Sequence, residues 1–344
     1  MRKKNILKRS LTGTLAATLL LAPIAEPMQG VFFENGIIVN AADSDFVIKD
    51  GVLVKYQGEG GEGIVPEGVT RIENKAFIEE RESDAPLGRE QITSIILPDS
   101  LKTIGDWAFY HCNKLKEIEI PEGVTEIGSS AYQWCTKLEK VTLPESLTTI
   151  SSAAFTYCGF EKITIPKNVK VIGAEAFYSS SLTSVTLSEG LTTIEEGAFQ
   201  ECSELTTITL PNSLTTIEAN AFTYCEQLTS IAFPENLTTL GAGAFSSCWN
   251  LSDVTFSKDI ENMNYSAFNG TEWLEKQINE NSSLTIINNV LVDGRNCKGD
   301  VDIPDGVTKN DDNAFSDSSI TSVTIPDSVT TIGKEAFYYC KNLS

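Results

Sequence analysis

Histidine is nearly absent from this chain of 344 residues, in which His111 is the only example. A site that uses several imidazole groups, as general bases or as metal ligands, is therefore excluded. His111 precedes Cys112, but adjacent side chains diverge, so a catalytic Cys–His pair is not expected. The sequence also lacks a nucleophile elbow, a P-loop and a dinucleotide-binding glycine motif. It predicts a protein that is not an enzyme and has no cofactor.

Basic residues are also scarce, since 26 Lys and Arg face 47 Asp and Glu, giving a net charge of −21. So acidic a chain repels phosphate backbones, and nucleic acid is excluded as a partner. The acidic pairs Asp311-Asp312 and Glu195-Glu196 lack the alternating ligands and turn glycine of a calcium loop. No metal site is predicted.

The N-terminal apolar run, Leu11 to Ala25, is shorter than the roughly 20 residues that span a bilayer as a helix. Five basic residues precede it, and the small-residue segment Val39-Asn40-Ala41 follows. This pattern predicts a secretory signal peptide over residues 1–41, with a retained membrane anchor as the alternative. The protein is expected to be secreted or held at the cell surface, with no membrane span after cleavage.

Eleven copies of one phrase fill most of the chain, and the clearest reads LTTITLPNSLTTIEANAFTYCEQ from Leu205 to Gln227. Each copy contains an Ala-aromatic pair, and these pairs recur every 22 or 23 residues, except for gaps of 32 before Phe109 and 47 before Phe315. Repetition at this period predicts a solenoid of stacked coils.

Each unit opens with a strand pattern, as in LKEIEIP from Leu115 to Pro121, where apolar and polar residues alternate. Proline ends the strand because it has no amide hydrogen for the ladder. A V/L-x-x-I segment then returns as a short extended or irregular stretch with both apolar residues inward. The aromatic residues of the pairs should stack into one internal spine, predicted to contain Phe109, Tyr132, Phe155, Phe177, Phe199, Phe222 and Phe245.

These units resemble the bacterial leucine-rich repeats of the BspA-like or Treponema type, whose phrase is close to LxxLxLPxSLxxIGxxAFxxCxx. The resemblance covers about Val52 to Ser344. It implies a leucine-rich repeat solenoid of the α/β horseshoe class, mainly β, with a parallel sheet on the concave side and an irregular or 3-10 convex side. It also implies a secreted or surface protein, often an adhesin. A right-handed parallel β-helix is the alternative architecture.

Residues 46–70 align without gaps on residues 284–308, so a second module opens each block of repeats. The predicted organisation is a signal peptide at 1–41, an N-terminal capping module at 42–65, a first repeat block at 66–270, a linker-like interruption and restart module at 271–303, and a second block at 304–344. The second block stops midway through a repeat and is expected to be truncated. Asn310 stands where other units place an inward Ile, which predicts a weak coil.

Seven of the eight cysteines lie three residues after the aromatic of the pair, a position that Ser180, Thr271 and Ser318 fill elsewhere. Exchange among small, weakly polar residues predicts a buried turn whose S–H or O–H donates to the adjacent coil. These thiols are expected to be free. Cys297 lies off this ladder and is the one candidate for a reactive thiol.

Two surfaces are candidates for binding. The outward strand positions form a small, hydroxyl-rich face that reads Glu117 and Glu119, Lys140 and Thr142, Lys162 and Thr164, Ser184 and Thr186, Thr207 and Thr209, and Ser230 and Ala232. The turns after the spine carry Tyr110, Trp134, Tyr157 and Tyr178 in four consecutive units. Aromatic rings at turns stack on sugars or anchor protein partners, so these four are the candidate ligand-binding residues.

The sequence therefore predicts a monomer that binds an extracellular protein or glycan without catalysis. A structural stalk that presents another module is the first alternative. The repeat domain of a larger extracellular hydrolase is the second.

Overall fold

The computed structural model describes residues 32–34, 37–39, 45–79, 87–88, 90–280 and 284–344. The chain divides into two units, Met1–Ala42 and Asp43–Ser344. In the first unit, Phe32–Glu34 and Ile37–Val39 pair as an antiparallel hairpin. The basic and apolar segments of the predicted signal peptide lie outside the described residues.

The second unit is a parallel β-solenoid of about 12 coils, and each regular coil contributes two short strands. The first strand of each coil is the predicted alternating segment that ends at proline. These first strands form several short parallel sheets, within which they pair as Gly61–Ile64 with Ile92–Ile96, Glu117–Glu119 with Lys140–Thr142, Lys162–Ile165 with Ser184–Leu187 and Thr207–Thr209, Ser230–Phe233 with Asp253–Phe256, and Lys298–Asp302 with Ser319–Thr324. The predicted outward positions are exposed, apart from half-buried Ser184.

The second strand of each coil lies in the return segment and builds the longest sheet. This sheet has 11 strands, Phe46–Lys49, Val52–Tyr56, Arg71–Ile72, Thr103–Ile104, Glu126–Ile127, Thr149–Ile150, Val171–Ile172, Thr193–Ile194, Thr216–Ile217, Thr239–Leu240 and Asn262–Met263. A four-stranded sheet repeats the arrangement with Thr285–Ile287, Val290–Asp293, Lys309–Asn310 and Thr331–Ile332. Two residues are too few to show a period-two pattern, so the sequence indicated only an extended or irregular return.

The Ala-aromatic turn adds a third ladder between coils. Around Phe109, the residues two before and two after it, Trp107 and His111, have φ of 52° and 59°. This left-handed backbone points every second backbone N–H along the axis of the solenoid. The backbone N–H groups of Trp107, Phe109 and His111 therefore donate to backbone carbonyl oxygens of the next coil, at 2.9, 2.7 and 2.8 Å. The same pairing recurs in the following coils. Both strands and the turn thus hold neighbouring coils together.

The predicted aromatic spine is confirmed and extends further than expected. It runs without a break from Tyr56 to Phe268, with successive ring centroids 4.4 to 5.8 Å apart. All of these rings are fully or almost fully buried. Phe315 and Phe337 continue the motif in the second block at 5.2 Å. Offset parallel rings add to the burial of apolar area that stabilises each coil.

The cysteine ladder is confirmed as a set of buried turn positions. Such a bond, from the thiol to the carbonyl oxygen of the spine residue one coil earlier, is made by Cys135, Cys158, Cys202, Cys225, Cys248 and Cys340, as for Cys135 to Phe109 at 3.2 Å and Cys225 to Phe199 at 3.2 Å. Ser180 does the same to Phe155 at 3.0 Å, which explains the exchange of Cys and Ser. All eight cysteines are free.

Cys297 does not fit the prediction of a reactive thiol. Its side chain is buried in the core of the second block. Burial, with a smaller contribution from Asp293, raises the pKa of the Cys297 thiol. Because the thiolate is the reactive form, burial and the raised pKa both disfavour reaction at Cys297.

The two opening modules have the same fold, as their alignment predicted. Phe46–Lys49 pairs with Val52–Tyr56, and Thr285–Ile287 pairs with Val290–Asp293, each as an antiparallel hairpin with a register shift near its start. The second hairpin docks on the preceding coil through Asn288, whose carboxamide accepts from Ile260 N at 3.1 Å and donates to Ile260 O at 2.8 Å.

The segment interpreted as a linker contains a helix, Glu272–Glu280, preceded by the 3-10 turn Tyr265–Phe268. Trp273 is buried against Phe268, with ring centroids 4.8 Å apart. The helix therefore covers the last coil of the first block. The segment is mostly polar, so the sequence did not indicate that Trp273 and Leu274 would be buried and anchor a helix.

Candidate binding surface

The candidate aromatic residues lie on the Ala-aromatic turns of four successive coils. The structure places them in two rows: Tyr110 and Tyr178 directly follow the spine residue, whereas Trp134 and Tyr157 follow it by two. The sequence had treated them as one row. His111 shares the second row, and we call Tyr110, His111, Trp134, Tyr157 and Tyr178 the aromatic edge. All five are partly exposed.

The rings of the aromatic edge contact one another from coil to coil. Trp134 and Tyr157 are stacked, with centroids 3.9 Å apart and planes at 19°. His111 lies 6.2 Å from Trp134, and Tyr178 meets Tyr157 edge-on at 5.4 Å. Tyr110 lies 5.9 Å from His111. The five side chains thus form one continuous aromatic surface.

A hydrogen bond fixes the C-terminal end of this surface. The Tyr178 hydroxyl donates to Glu201 Oε1 at 2.6 Å. This bond to a carboxylate, together with burial, raises the pKa of Tyr178, which therefore remains a neutral donor. The ring is held in place before any ligand arrives.

The backbone at Trp134 and Tyr157 is left-handed, with φ of 65° and 58°. This region costs an L-residue roughly 1–2 kcal/mol, and bulky side chains are uncommon there. Equivalent turns carry Ser179 and Glu201 at φ of 50° and 60°, so the fold does not require an aromatic residue at this position.

The other end of the edge borders the ten-residue expansion between Phe77 and Phe109. Its described strands, Ile78–Glu79 and Leu87–Gly88, pair as an antiparallel hairpin. A Cβ on Gly88 would collide with the Tyr110 carbonyl oxygen, so glycine allows this close approach. Glu90 Oε1 lies 3.7 Å from His111 Nδ1. Carboxylates therefore flank the edge at both ends.

Two further exposed aromatic residues, Tyr224 and Trp249, are not among the predicted binding residues. Their exposed fractions are 42% and 54%, and their rings meet edge-on at 6.4 Å. They form a smaller second pair two coils beyond the edge. The repeat pattern does not predict this contact, because the two residues occupy different positions of the repeat. Tyr224 follows its spine residue by two, whereas Trp249 follows its spine residue by four.

The described residues contain no group of three or more His, Cys, Asp or Glu side chains placed to hold a metal ion. Within the same part of the chain, no helix has the length and apolar character needed to cross a bilayer.

Comparison with known families decides what this architecture is. The BspA type leucine rich repeat region matches residues 62–181, 170–298 and 276–344, in 6 copies. The chain belongs to this BspA-type leucine-rich repeat family. The predicted resemblance and fold class are confirmed.

One solved structure agrees with this assignment, and two others are similar in sequence. A leucine-rich repeat protein from Bacteroides ovatus is 26% identical, with a TM-score of 0.56 over 87% of this chain and 81% of that one. A Treponema pallidum leucine-rich repeat protein is 28% identical over 58% and 82% of the two chains, with a TM-score of 0.46. A leucine-rich cell surface protein from Faecalibacterium prausnitzii is 24% identical over 93% and 94%, with a TM-score of 0.43. No curated protein matches the chain.

Proposed function

We propose that this BspA-type repeat protein is exported and binds an extracellular protein or glycan, without catalysis, through the aromatic edge. The observation that carries the proposal is the stack of Trp134 on Tyr157 at left-handed backbone positions. The solenoid is built at neighbouring coils with Ser or Glu at this site, so the fold itself does not require the two rings, which supports a role in binding. We expect the protein to act as a monomer.

The aromatic edge suits recognition of a large partner. Stacked indole and phenol rings present flat apolar area and lose little conformational entropy on binding, because they are already packed. Tyr178 is fixed by Glu201 and adds no ordering cost. Trp and Tyr are enriched among residues that dominate binding energy in interfaces, and their faces also stack on sugar rings.

The proposal is tested with an immobilised mucin-type glycoprotein, intact and after enzymatic removal of its glycans. Replacing Trp134 and Tyr157 by Ala should weaken binding by about 30-fold, equivalent to 2 kcal/mol. The matched control is the double change of Tyr224 and Trp249 to Ala, which removes a second aromatic pair from the same solenoid. Loss of binding after deglycosylation would identify the glycan, rather than the protein, as the partner.

Thermal unfolding of both double variants distinguishes a loss of binding contacts from a loss of folding. This control is needed because Trp134 and Tyr157 are partly buried and their stacking stabilises the turns. Equal weakening by the two double variants would contradict the aromatic edge as the site. Loss of binding on reversing the charges of Lys140 and Lys162 would move the site to the strand face. No effect from any of these changes would favour the stalk hypothesis.

A further inference from the structure

A shallow groove lies on the outward face of the first strands, away from the aromatic turns. It has a volume of about 420 Å³ and crosses three coils, at the strands Thr207–Thr209, Ser230–Phe233 and Asp253–Phe256. Small-molecule sites commonly have volumes of about 300–1,000 Å³. The volume of this groove falls in the lower part of that range.

The groove exists because one side chain in a regular row is small. From the strand Lys140–Thr142 to the strand Asp253–Phe256, the last outward position of the first strands reads Thr142, Thr164, Thr186, Thr209, Ala232 and Thr255. Ala232 lacks the hydroxyl and methyl that its neighbours carry, which leaves a notch. In addition, Thr207–Thr209 is the last strand of one sheet and Ser230–Phe233 is the first of the next, so the face is interrupted at this step.

Polar side chains converge on the notch. Thr209 and Thr255 stand on either side of Ala232, and Asn212, Ser230 and Asp253 line the groove beside them, together with Ser257 and the apolar residues at the ends of the strands. Thr209, Asn212, Ser230, Asp253 and Thr255 are all exposed. Within the described part of the chain, none of these five polar side chains makes a hydrogen bond or an ion pair.

This availability is not general among the hydroxyls of the solenoid. Thr192, Thr215 and Thr238 each donate to a backbone carbonyl of the preceding coil, at 3.0, 3.1 and 3.2 Å. Those hydroxyls hold coils together. In the groove, the Ser257 hydroxyl likewise donates to Phe233 O at 2.8 Å. The hydroxyls of Thr209, Ser230 and Thr255 make no such bond within the described residues and are available to a ligand.

The mixture of groups defines the ligand class. Hydroxyls and a carboxamide both donate and accept, whereas the Asp253 carboxylate only accepts. An anion would be repelled by Asp253, and a cation would leave the donor of Asn212 unused. A polyhydroxylated neutral ligand matches the whole set, since its own hydroxyls both donate and accept.

We propose that this groove is a binding subsite for one neutral sugar ring of a glycan. Thr209 and Thr255 are two strand spacings apart, about 10 Å, which leaves room for a single ring between them. The Asp253 carboxylate accepts hydrogen bonds from two adjacent ring hydroxyls, and the Ala232 methyl lies beneath the C–H face of the ring. This subsite is separate from the aromatic edge, and the proposal does not depend on the aromatic edge being a binding site.

The test is saturation-transfer NMR on the full chain with methyl glycosides of glucose, galactose, mannose and N-acetylglucosamine at millimolar concentration. At least one glycoside should receive saturation from the protein. The Ala232→Thr variant fills the notch with the residue that the repeat carries elsewhere, so it should fold normally and bind at least about tenfold more weakly. The matched control, Thr186→Ala, shortens the same row outside the groove and should leave affinity unchanged.

Several outcomes would overturn the subsite. These are transfer to none of the four glycosides, equal affinity for Ala232→Thr, or loss of binding in the double Trp134 and Tyr157 variant, which would place the sugar on the aromatic edge. Binding of ethylammonium in place of the glycosides, abolished by Asp253→Asn, would assign the groove to cationic side chains of a protein partner. Reduced glycoside binding by Asp253→Asn, with wild-type stability, would support the proposal.

Discussion

Replacing Asn310 with Ile should stabilise the second repeat block. Asn310 is fully buried in the strand Lys309–Asn310, and neither its side-chain nitrogen nor its oxygen has a hydrogen-bond partner. The register places it between Leu291 and Ile332 of adjacent coils. Coils of the first block hold Ile, Leu or Met at this position, as at Ile127 and Met263.

The expected gain follows from three terms. Removing an unsatisfied buried amide recovers about 1–3 kcal/mol, and burying the larger apolar side chain adds about 1.5–3 kcal/mol. Overpacking by the branched side chain lowers the free energy of unfolding by about 1–3 kcal/mol. The net stabilisation is about 2 kcal/mol.

Hydrogen exchange followed by mass spectrometry measures this effect locally, since residues 291–320 form a core cluster of their own. Peptides of that cluster should exchange about 30-fold more slowly in Asn310→Ile. The matched control, Ile127→Asn, installs the same defect in the first block and should accelerate exchange there. Unchanged or faster exchange in Asn310→Ile would show that the amide has a partner, such as a buried water, and would refute the reasoning.

Three further predictions concern stability and redox state. Denatured, unreduced protein should titrate at least six free thiols, and mass spectrometric detection of a Cys112–Cys135 or Cys202–Cys225 disulfide would contradict the ladder of buried donors. Burial raises the pKa of Cys202 and Cys248 to about 12, whereas an unfolded thiol ionises near pH 8.5. The contribution of these two thiols to the free energy of unfolding should therefore be constant below about pH 8.5 and fall by about 1–2 kcal/mol per thiol by pH 10. Urea midpoints should show this loss, and replacing both cysteines by Ser should remove their share of it. Asn288→Asp cannot donate to Ile260 O and should destabilise the junction between blocks by about 1–3 kcal/mol in urea unfolding, whereas Asp50→Asn at the equivalent position of the first module should have little effect.

The repeat architecture was predictable because each coil restates the same constraints. The spacing of the Ala-aromatic pairs indicated the spine, and the exchange of Cys with Ser180 indicated a buried donor whose bond to Phe155 the structure shows. The alignment of residues 46–70 with 284–308 likewise predicted two equivalent hairpins. Patterns that recur in many copies average out the chance features of any one copy.

Features made by single residues were harder to predict. The helix Glu272–Glu280 is anchored by two apolar side chains in a polar segment, which sequence periodicity does not register. The stack of Trp134 on Tyr157 and the separate row of Tyr178 depend on left-handed turns that non-glycine residues adopt here. The notch at Ala232 became visible only when the row of threonines was placed on one face.

Oxidative footprinting tests the central claim most directly. Hydroxyl radicals label exposed aromatic side chains, and the aromatic edge and the pair Tyr224 and Trp249 are both accessible in the free protein. On binding to the mucin-type glycoprotein, we predict that Trp134, Tyr157 and Tyr178 become protected while Tyr224 and Trp249 do not. Protection confined to Tyr224 and Trp249, or the absence of protection at the edge in a complex that has formed, would contradict the account.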